Sequence, residues 1–299
     1  MDEMIEFSKM HGIGNDFIVI DDMKGELSFT PPQIRRLCDR HFGVGADGII
    51  IARPSSKADA FMLFYNADGT QAEMCGNGIR CLAKFLYEQG IVDKNPMKID
   101  TLAGIKEVSL MFDNGEVIGA RVDIGTVSFK AGDVPTTVVA ADDEAIDVKI
   151  PVGKGMVKAT CLSVGNPHCV VFVDDVREAP VEKVGQYIST HELFPKRSNV
   201  EFVEVVDSNH LKVRVYERGV GETLACGTGA VAAAAAACKQ GYCGWPMRVD
   251  LPGGTLLVEI NTMGKAFLTG PAELVYNGFL SLEFEEELDY FTDLVSNED

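Results

Sequence analysis

The sequence predicts an α/β (α+β) chain made of two pseudo-symmetric copies of one unit, each mostly β-strand around a single buried helix. Three observations lead there: a repeat that runs through most of the chain, short β-branched apolar runs, and two apolar helical stretches that each follow a cysteine and a Gly-x-Gly.

The repeat has an offset of 151, the difference between 226 and 75. It carries Gly14-Asn15 onto Gly165-Asn166, Val19 onto Val170, Tyr65 onto Tyr216, Cys75-Gly76 onto Cys226-Gly227, Gly78 onto Gly229 and Gln89-Gly90 onto Gln240-Gly241. After a one-residue deletion the match continues at 150, with Met97-Lys98-Ile99-Asp100 on Met247-Arg248-Val249-Asp250 and Gly104 on Gly254. Isolated glycines coincide by chance; one register held through Asn, Tyr, Cys and Gln does not. Two copies related by a pseudo-twofold axis bring equivalent loops face to face across a cleft, so paired residues approach one ligand from opposite sides.

Within each unit, residues 16–20 (DFIVI) and 169–173 (CVVFV) have the composition of buried strands. Residues 61–65 (FMLFY) and 211–216 (LKVRVY) read as strands leading toward the two cysteines. Residues 79–89 are strongly apolar and 230–239 nearly all alanine, so both helices are expected to be buried. Gly90 and Gly241 sit where a left-handed C-terminal cap belongs. Residues 128–155, punctuated by Gly132, Pro135, Pro151, Gly153 and Gly155, form the natural connection, although they contain strand-like runs of their own.

With 45 acidic against 27 basic residues the net charge is −18, which repels phosphate backbones and anionic lipid. Nucleic acid and membrane are therefore not expected partners. Residues 283–299 hold eight acids and no Lys or Arg, the pattern of a solvated tail. The N-terminal MDEMIEFSKM has acids where a secretory signal needs basic residues, and no apolar run approaches the roughly 18 residues of a membrane span. Eight cysteines without a CxxC pair fit reduced thiols, so a cytoplasmic protein is expected. No four-ligand metal spacing stands out, and no lysine motif suggests pyridoxal phosphate.

Cys75 in MCGNGIRC and Cys226 in ACGTGAVA each stand just before a helix start. Unpaired amides and the helix dipole favour an anion there, which is expected to lower the thiol pKa and to welcome a carboxylate. A single cysteine is most often a packing residue. Cys38, Cys81, Cys161, Cys169, Cys238 and Cys243 have no cysteine at the equivalent repeat position, and packing is the reading for them. Two thiols opposed across a cleft suit stereochemical inversion: a thiolate removes a proton from one side of a carbon while the opposed thiol returns one to the other. Both Gly-x-Gly loops can direct amides at the α-carboxylate where charge grows.

Asn15 pairs with Asn166, and Asn66 with Glu217, under the same offset. Such residues usually serve turns, but Asn15, Asn66, Asn166 and Asn199 together argue for a polar ligand. Glu217-Arg218 adds a carboxylate for an ammonium and a guanidinium for a carboxylate. His168, next to Cys169, is a structural residue or one that orients a nearby thiol. A thiol redox protein and a non-catalytic amino-acid-binding module are the rival classes.

Six ordered blocks, FSKMHGIGNDFIVID, YNADGTQAEMCGNGIRC, SVGNPHCVVFVDD, HELFPKRSNVEF, VRVYERGVGETLACGTGA and VDLPGGTL, resemble the diaminopimelate epimerases, cofactor-independent isomerases of lysine and peptidoglycan precursor biosynthesis. The resemblance implies interconversion of LL- and meso-diaminopimelate with Cys75 and Cys226 as the acid/base pair. It implies carboxylate binding by Gly76-Asn77 and Gly227-Thr228, and substrate contacts from Asn15, Asn66, Asn166, Asn199, Glu217 and Arg218. His168 matches a residue that supports catalysis beside Glu217. The implied fold is two units, each a curved mixed sheet wrapped around a central helix: residues 1–127 with 275–299 crossing back, and 128–274, with the site in the cleft between. A homodimer is implied too, with Tyr276 near the contact. Gly48 departs from the many members that carry Gln, while Asn199 stands at its repeat position. Proline racemases resemble the same paired-cysteine scheme and make another amino-acid racemase the nearest rival.

Overall fold

The structure, a computed structural model, describes residues 4–242 and 244–280. The acidic tail and Cys243 lie outside the described residues.

Each half runs through one succession of strand pairings. In the first, Ile5–Gly12 pairs antiparallel with Asn15–Asp21, which pairs parallel with Gly48–Arg53 and so, antiparallel, with Ala60–Asn66. In the second, Gly155–Ser163, Pro167–Phe172, Asn199–Asp207 and His210–Glu217 repeat that succession. The register repeats with it: Phe17 faces Gly48 and His168 faces Asn199, Ile49 faces Tyr65 and Val200 faces Tyr216, each pair 151 residues on from its counterpart. The offset is thus a repeat of strand pairing, and the predicted fold class holds.

Both halves then continue through a parallel partner and two antiparallel strands, and they meet where Glu116–Thr126 pairs antiparallel with Lys265–Pro271. Gly119 is required at that seam, since a Cβ there would stand 2.3 Å from the Gly270 carbonyl oxygen. Past the seam, Glu273–Leu280 lies antiparallel beside Ile5–Gly12, joining the end of the described chain to its start.

The two expected helices are present and begin three residues earlier than their apolar runs, at Gly76–Glu88 and Gly227–Lys239. The glycines belong to the helices because the first helical bonds run from the Ile79 and Ala230 amides back to the Cys75 and Cys226 carbonyls, at 2.9 and 3.0 Å. Ala230 to Ala237 are all essentially buried. A helix with no polar face has to sit inside its sheet, and its small side chains let the surrounding strands close on it. Gly90 and Gly241 take positive φ (67° and 95°) just beyond the two helices, as the capping argument requires. One cluster of buried residues runs through both helices and both halves, flanked by a smaller cluster on each side.

Residues 128–155 are more than a connection. Ala131, Val134, Ala145 and Ile150 are buried in the cluster that flanks the second half, and Val148–Val152 pairs with Gly155–Ser163. Among the described residues no helix is long and apolar enough to cross a membrane.

Candidate active site

Cys75 and Cys226 are the N-cap residues of the two central helices. Each has extended backbone, and each sulfur accepts the amide of the third helical residue, Gly78 N at 3.5 Å and Gly229 N at 3.3 Å. A thiol therefore fills the place usually held by Ser, Thr, Asp or Asn. The two helix starts abut: a Cβ on Gly227 would stand 3.8 Å from Gly76 Cα and 2.9 Å from Leu268 Cδ2.

Glu217, at the end of strand His210–Glu217, bears electrostatically on both sulfurs and raises both thiols. Burial raises its own carboxyl, against hydrogen bonds from Thr223 and Cys226. The expectation of a lowered thiol pKa is corrected here. Burial pushes Cys75 up despite the amides of Gly78 and Asn77, and it pushes Cys226 well up, with Glu217 and Glu201 adding to it. The helix start does favour the thiolate, but loss of water around a buried sulfur is the larger effect.

Paired residues meet in paired contacts. Asn15 Oδ1 accepts Asn77 Nδ2 at 3.2 Å and the Cys75 thiol at 3.5 Å; at the equivalent place Asn166 Nδ2 donates to Thr228 Oγ1 at 3.3 Å, and Thr228 Oγ1 lies 3.7 Å from Cys226 Sγ. Asn15 is held from behind by Asp47 at 2.8 Å, itself tied with Asp16 to Arg40. Lys9 and Arg40 keep the Asp16 carboxyl well below the usual carboxylate range against the opposing effect of its burial.

The remaining sequence-predicted residues divide by what their side chains do. Asn66 donates to Thr70 Oγ1 at 3.0 Å. Asn199 is buried with its amide engaged, Nδ2 on the Pro167 carbonyl at 3.0 Å and Oδ1 on the Arg218 amide at 2.9 Å, so it ties two strand ends together. The Arg218 guanidinium reaches the Lys196 carbonyl at 3.2 Å on the exposed rim. At Gly48 a Cβ would stand 2.5 Å from the Tyr65 carbonyl oxygen and 2.7 Å from the Phe64 ring, so aromatic packing occupies the place of a longer side chain. Tyr276 is exposed on strand Glu273–Leu280, its ring edge-to-face with Phe7 at 5.9 Å.

Cys38, Cys81, Cys161 and Cys169 are buried and free, as the packing reading has it. Cys238 is disulfide-bonded, which corrects the expectation that every thiol is reduced.

The family model described as diaminopimelate epimerase matches residues 7–150 and 160–275. The chain belongs to the diaminopimelate epimerase family. Curated relatives named diaminopimelate epimerase include those of Methanococcus maripaludis strain S2, 44% identical over 93% of this chain and 100% of that one, and Desulfitobacterium hafniense, 45% identical over 92% and 98%. The one from Synechococcus elongatus is 45% identical over 93% and 99%. Among solved structures the fold is shared with a probable proline racemase from Agrobacterium radiobacter (TM-score 0.68, 17% identity, 95% of each chain). It is shared too with a hydroxyproline epimerase from Agrobacterium vitis (TM-score 0.69, 15% identity, 95% and 93%).

Two buried charged residues of this epimerase-family site escape the sequence reading. Arg80 is fully buried in the first central helix, donating to the Gly76 carbonyl at 2.9 Å, Asn77 Oδ1 at 3.0 Å and the Pro271 carbonyl at 3.2 Å. Glu201, also fully buried, meets His168 Nδ1 at 2.7 Å, and His168 Nε2 meets Asn166 Oδ1 at 2.8 Å. The signal that finds them is a mismatch in the repeat: 80 + 151 is Val231, and 201 − 151 is Ile50.

Proposed function

We propose that the chain, like the relatives named diaminopimelate epimerase, interconverts LL- and meso-diaminopimelate, and that it does so by a two-base mechanism. The observation that carries this reading is the pair of N-cap thiols at abutting helix starts, with Glu217 bearing on both. One sulfur takes the α-proton as thiolate; the other, as thiol, delivers a proton to the opposite face. The first-turn amides of Gly76, Asn77, Gly227 and Thr228 receive the α-carboxylate and stabilise the charge that grows on it. Asn15, Asn66, Asn166, Glu217 and Arg218 present polar groups to the rest of the substrate, and Asn199 acts by holding the Arg218 backbone. The chemistry asks for no cofactor, because the helix starts supply the stabilisation.

Incubation with LL-diaminopimelate in deuterated water, with stereoisomers resolved chromatographically, tests the reading. The expected result is meso product carrying deuterium at Cα. Turnover of proline or another amino acid with no conversion of diaminopimelate would move the assignment to a different racemase. We propose a homodimer through the exposed strand Glu273–Leu280, along which Leu274, Val275, Tyr276 and Phe279 stand open to solvent. The proposal places the enzyme in the cytoplasm, where both thiols stay reduced.

A further inference from the structure

An Asn amide has two ends of the same shape, one that accepts and one that donates. Beside Cys75 two such amides stand in series. Asn77 Oδ1 accepts from the Arg80 guanidinium at 3.0 Å, Asn77 Nδ2 donates to Asn15 Oδ1 at 3.2 Å, and Asn15 Nδ2 donates to Asp47 at 2.8 Å. One end of this chain can only donate and the other can only accept, so it runs in a single direction. Turning Asn77 would set its NH2 against a fully buried guanidinium and strand both donors, a cost larger than that of a hydrogen bond exchanged with water. Asp47 is committed as an acceptor too, because its other partners, the Asp16 amide at 3.1 Å and Arg40 at 2.9 Å, are donors.

The second half turns the equivalent amide round. Asn166 Oδ1 meets His168 Nε2 at 2.8 Å, and Asn166 Nδ2 donates to Thr228 Oγ1 at 3.3 Å. Asn15 thus receives a hydrogen bond from its helix start, at residue 77, while Asn166 gives one to its helix start, at residue 228. None of the residues that set the two senses is shared by the copies: Arg80 falls on Val231, Asp47 on Ser198 and His168 on Phe17. Ser198 Oγ is spent on the Asn199 carbonyl at 2.8 Å. We propose that Arg80 and Asp47 are positioning residues, the donor and acceptor poles that hold the Asn77 and Asn15 amides in one sense, with the Asn15 carbonyl on the Cys75 thiol. That thiol donates to the carbonyl at 3.5 Å, so the chain sets where the S–H points. Arg80 also donates to the Gly76 carbonyl at 2.9 Å and to the Pro271 carbonyl at 3.2 Å, which anchors its pole to the helix start and to the seam strand. The inference deepens the two-base reading and rests on it for its catalytic meaning.

The test reads the S–H stretch of Cys75 by infrared difference spectroscopy of the full chain without substrate, the band being isolated by subtracting the spectrum of Cys75→Ser. A thiol bonded to a carbonyl absorbs at lower wavenumber than a free one, and the wild-type band is expected there. In Asp47→Asn the new carbonyl goes to the Arg40 cation, the stronger partner, and its NH2 faces Asn15, which turns. The band should then move to higher wavenumber. Arg80→Met should move it the same way, whereas Arg80→Lys, which keeps a donor-only pole, should leave it near the wild-type position. Asp47 is exposed, so its variant decides the matter even if Arg80→Met fails to fold. A wild-type band at the free position, or an Asp47→Asn band that does not move, overturns the proposal. Turnover of LL-diaminopimelate should fall about tenfold in Asp47→Asn, within the roughly 100-fold that a misplacement of about 1 Å can cost. A band that moves with turnover unchanged overturns the positioning role. If the wild-type enzyme leaves diaminopimelate unconverted, the functional reading fails while the infrared result still decides the sense of the amides.

Discussion

Replacing Gly229 by alanine measures how tightly the second thiol is held. A Cβ there would lie 3.1 Å from Cys226 Sγ, 3.1 Å from Glu201 Oε1 and 3.2 Å from Cys226 Cβ, each inside the ordinary contact of roughly 3.5–4.0 Å. The carboxylate is held against His168 at 2.7 Å and cannot retreat, so the sulfur yields by about 0.5 Å. Alanine improves helix propensity by about 0.8–1.0 kcal/mol, while overpacking costs about 1–3 kcal/mol. The net loss is about 0–2 kcal/mol, a few degrees in Tm, and the fold survives. Catalysis is less tolerant: a misplacement of about 1 Å can cost roughly 100-fold, so the rate should fall at least about tenfold. Gly78→Ala is the matched control. Its Cβ would meet Ile50 Cδ1 at 2.8 Å and Met62 Cε at 3.2 Å, the tips of side chains that can move, and Cys75 Cβ only at 3.4 Å. Its rate should fall less than about threefold. Chiral chromatography of the product, with Tm by circular dichroism, reads both variants. A Gly229→Ala enzyme as fast as wild type, or a Gly78→Ala enzyme equally crippled, refutes the reasoning.

Three further outcomes are expected. Cys75→Ser and Cys226→Ser should each lower turnover by about 100-fold or more with Tm nearly unchanged, since a poorly ionised hydroxyl replaces an acid/base thiol; near-normal activity in either contradicts the two-base scheme. The rate should be bell-shaped in pH, because one thiolate and one thiol are required together. Both thiols are raised by burial, so the thiolate is lost as pH falls and the rate declines from an alkaline optimum; a profile flat from pH 6 to 10 argues against it. Tyr276→Asp should convert the proposed homodimer to monomers in sedimentation by placing a charge on the exposed apolar strand; a wild-type enzyme that sediments as a monomer, or a variant that stays dimeric, removes this strand from an interface.

Much of the fold was legible because its signals are local or periodic. The alanine run at 230–237 says that no face of that helix meets water, and the register of Phe17 on Gly48 and His168 on Asn199 repeats the sequence offset. The cysteines stood out because both copies keep Cys-Gly-x-Gly. Arg80 and Glu201 did not, because a repeat marks the residues its copies share, and Val231 and Ile50 stand at the equivalent positions. Asn199 illustrates the other limit. Its type and repeat position suit a ligand contact, and its side-chain amide also ties the Pro167 carbonyl to the Arg218 amide, a link that no local pattern announces.

Chain order and residue type thus suffice for the two-copy plan, the two buried helices and the paired thiols, since hydrophobic periodicity and helix capping act over a few residues. The ionisation of those thiols follows a different rule. Burial acts against the helix starts, Glu217 arrives beside Cys75 from the other copy of the repeat, and Glu201 bears on Cys226 from a separate strand. Desolvation and Coulomb interactions depend on distances through space, and those exist only once the two halves have closed on one another.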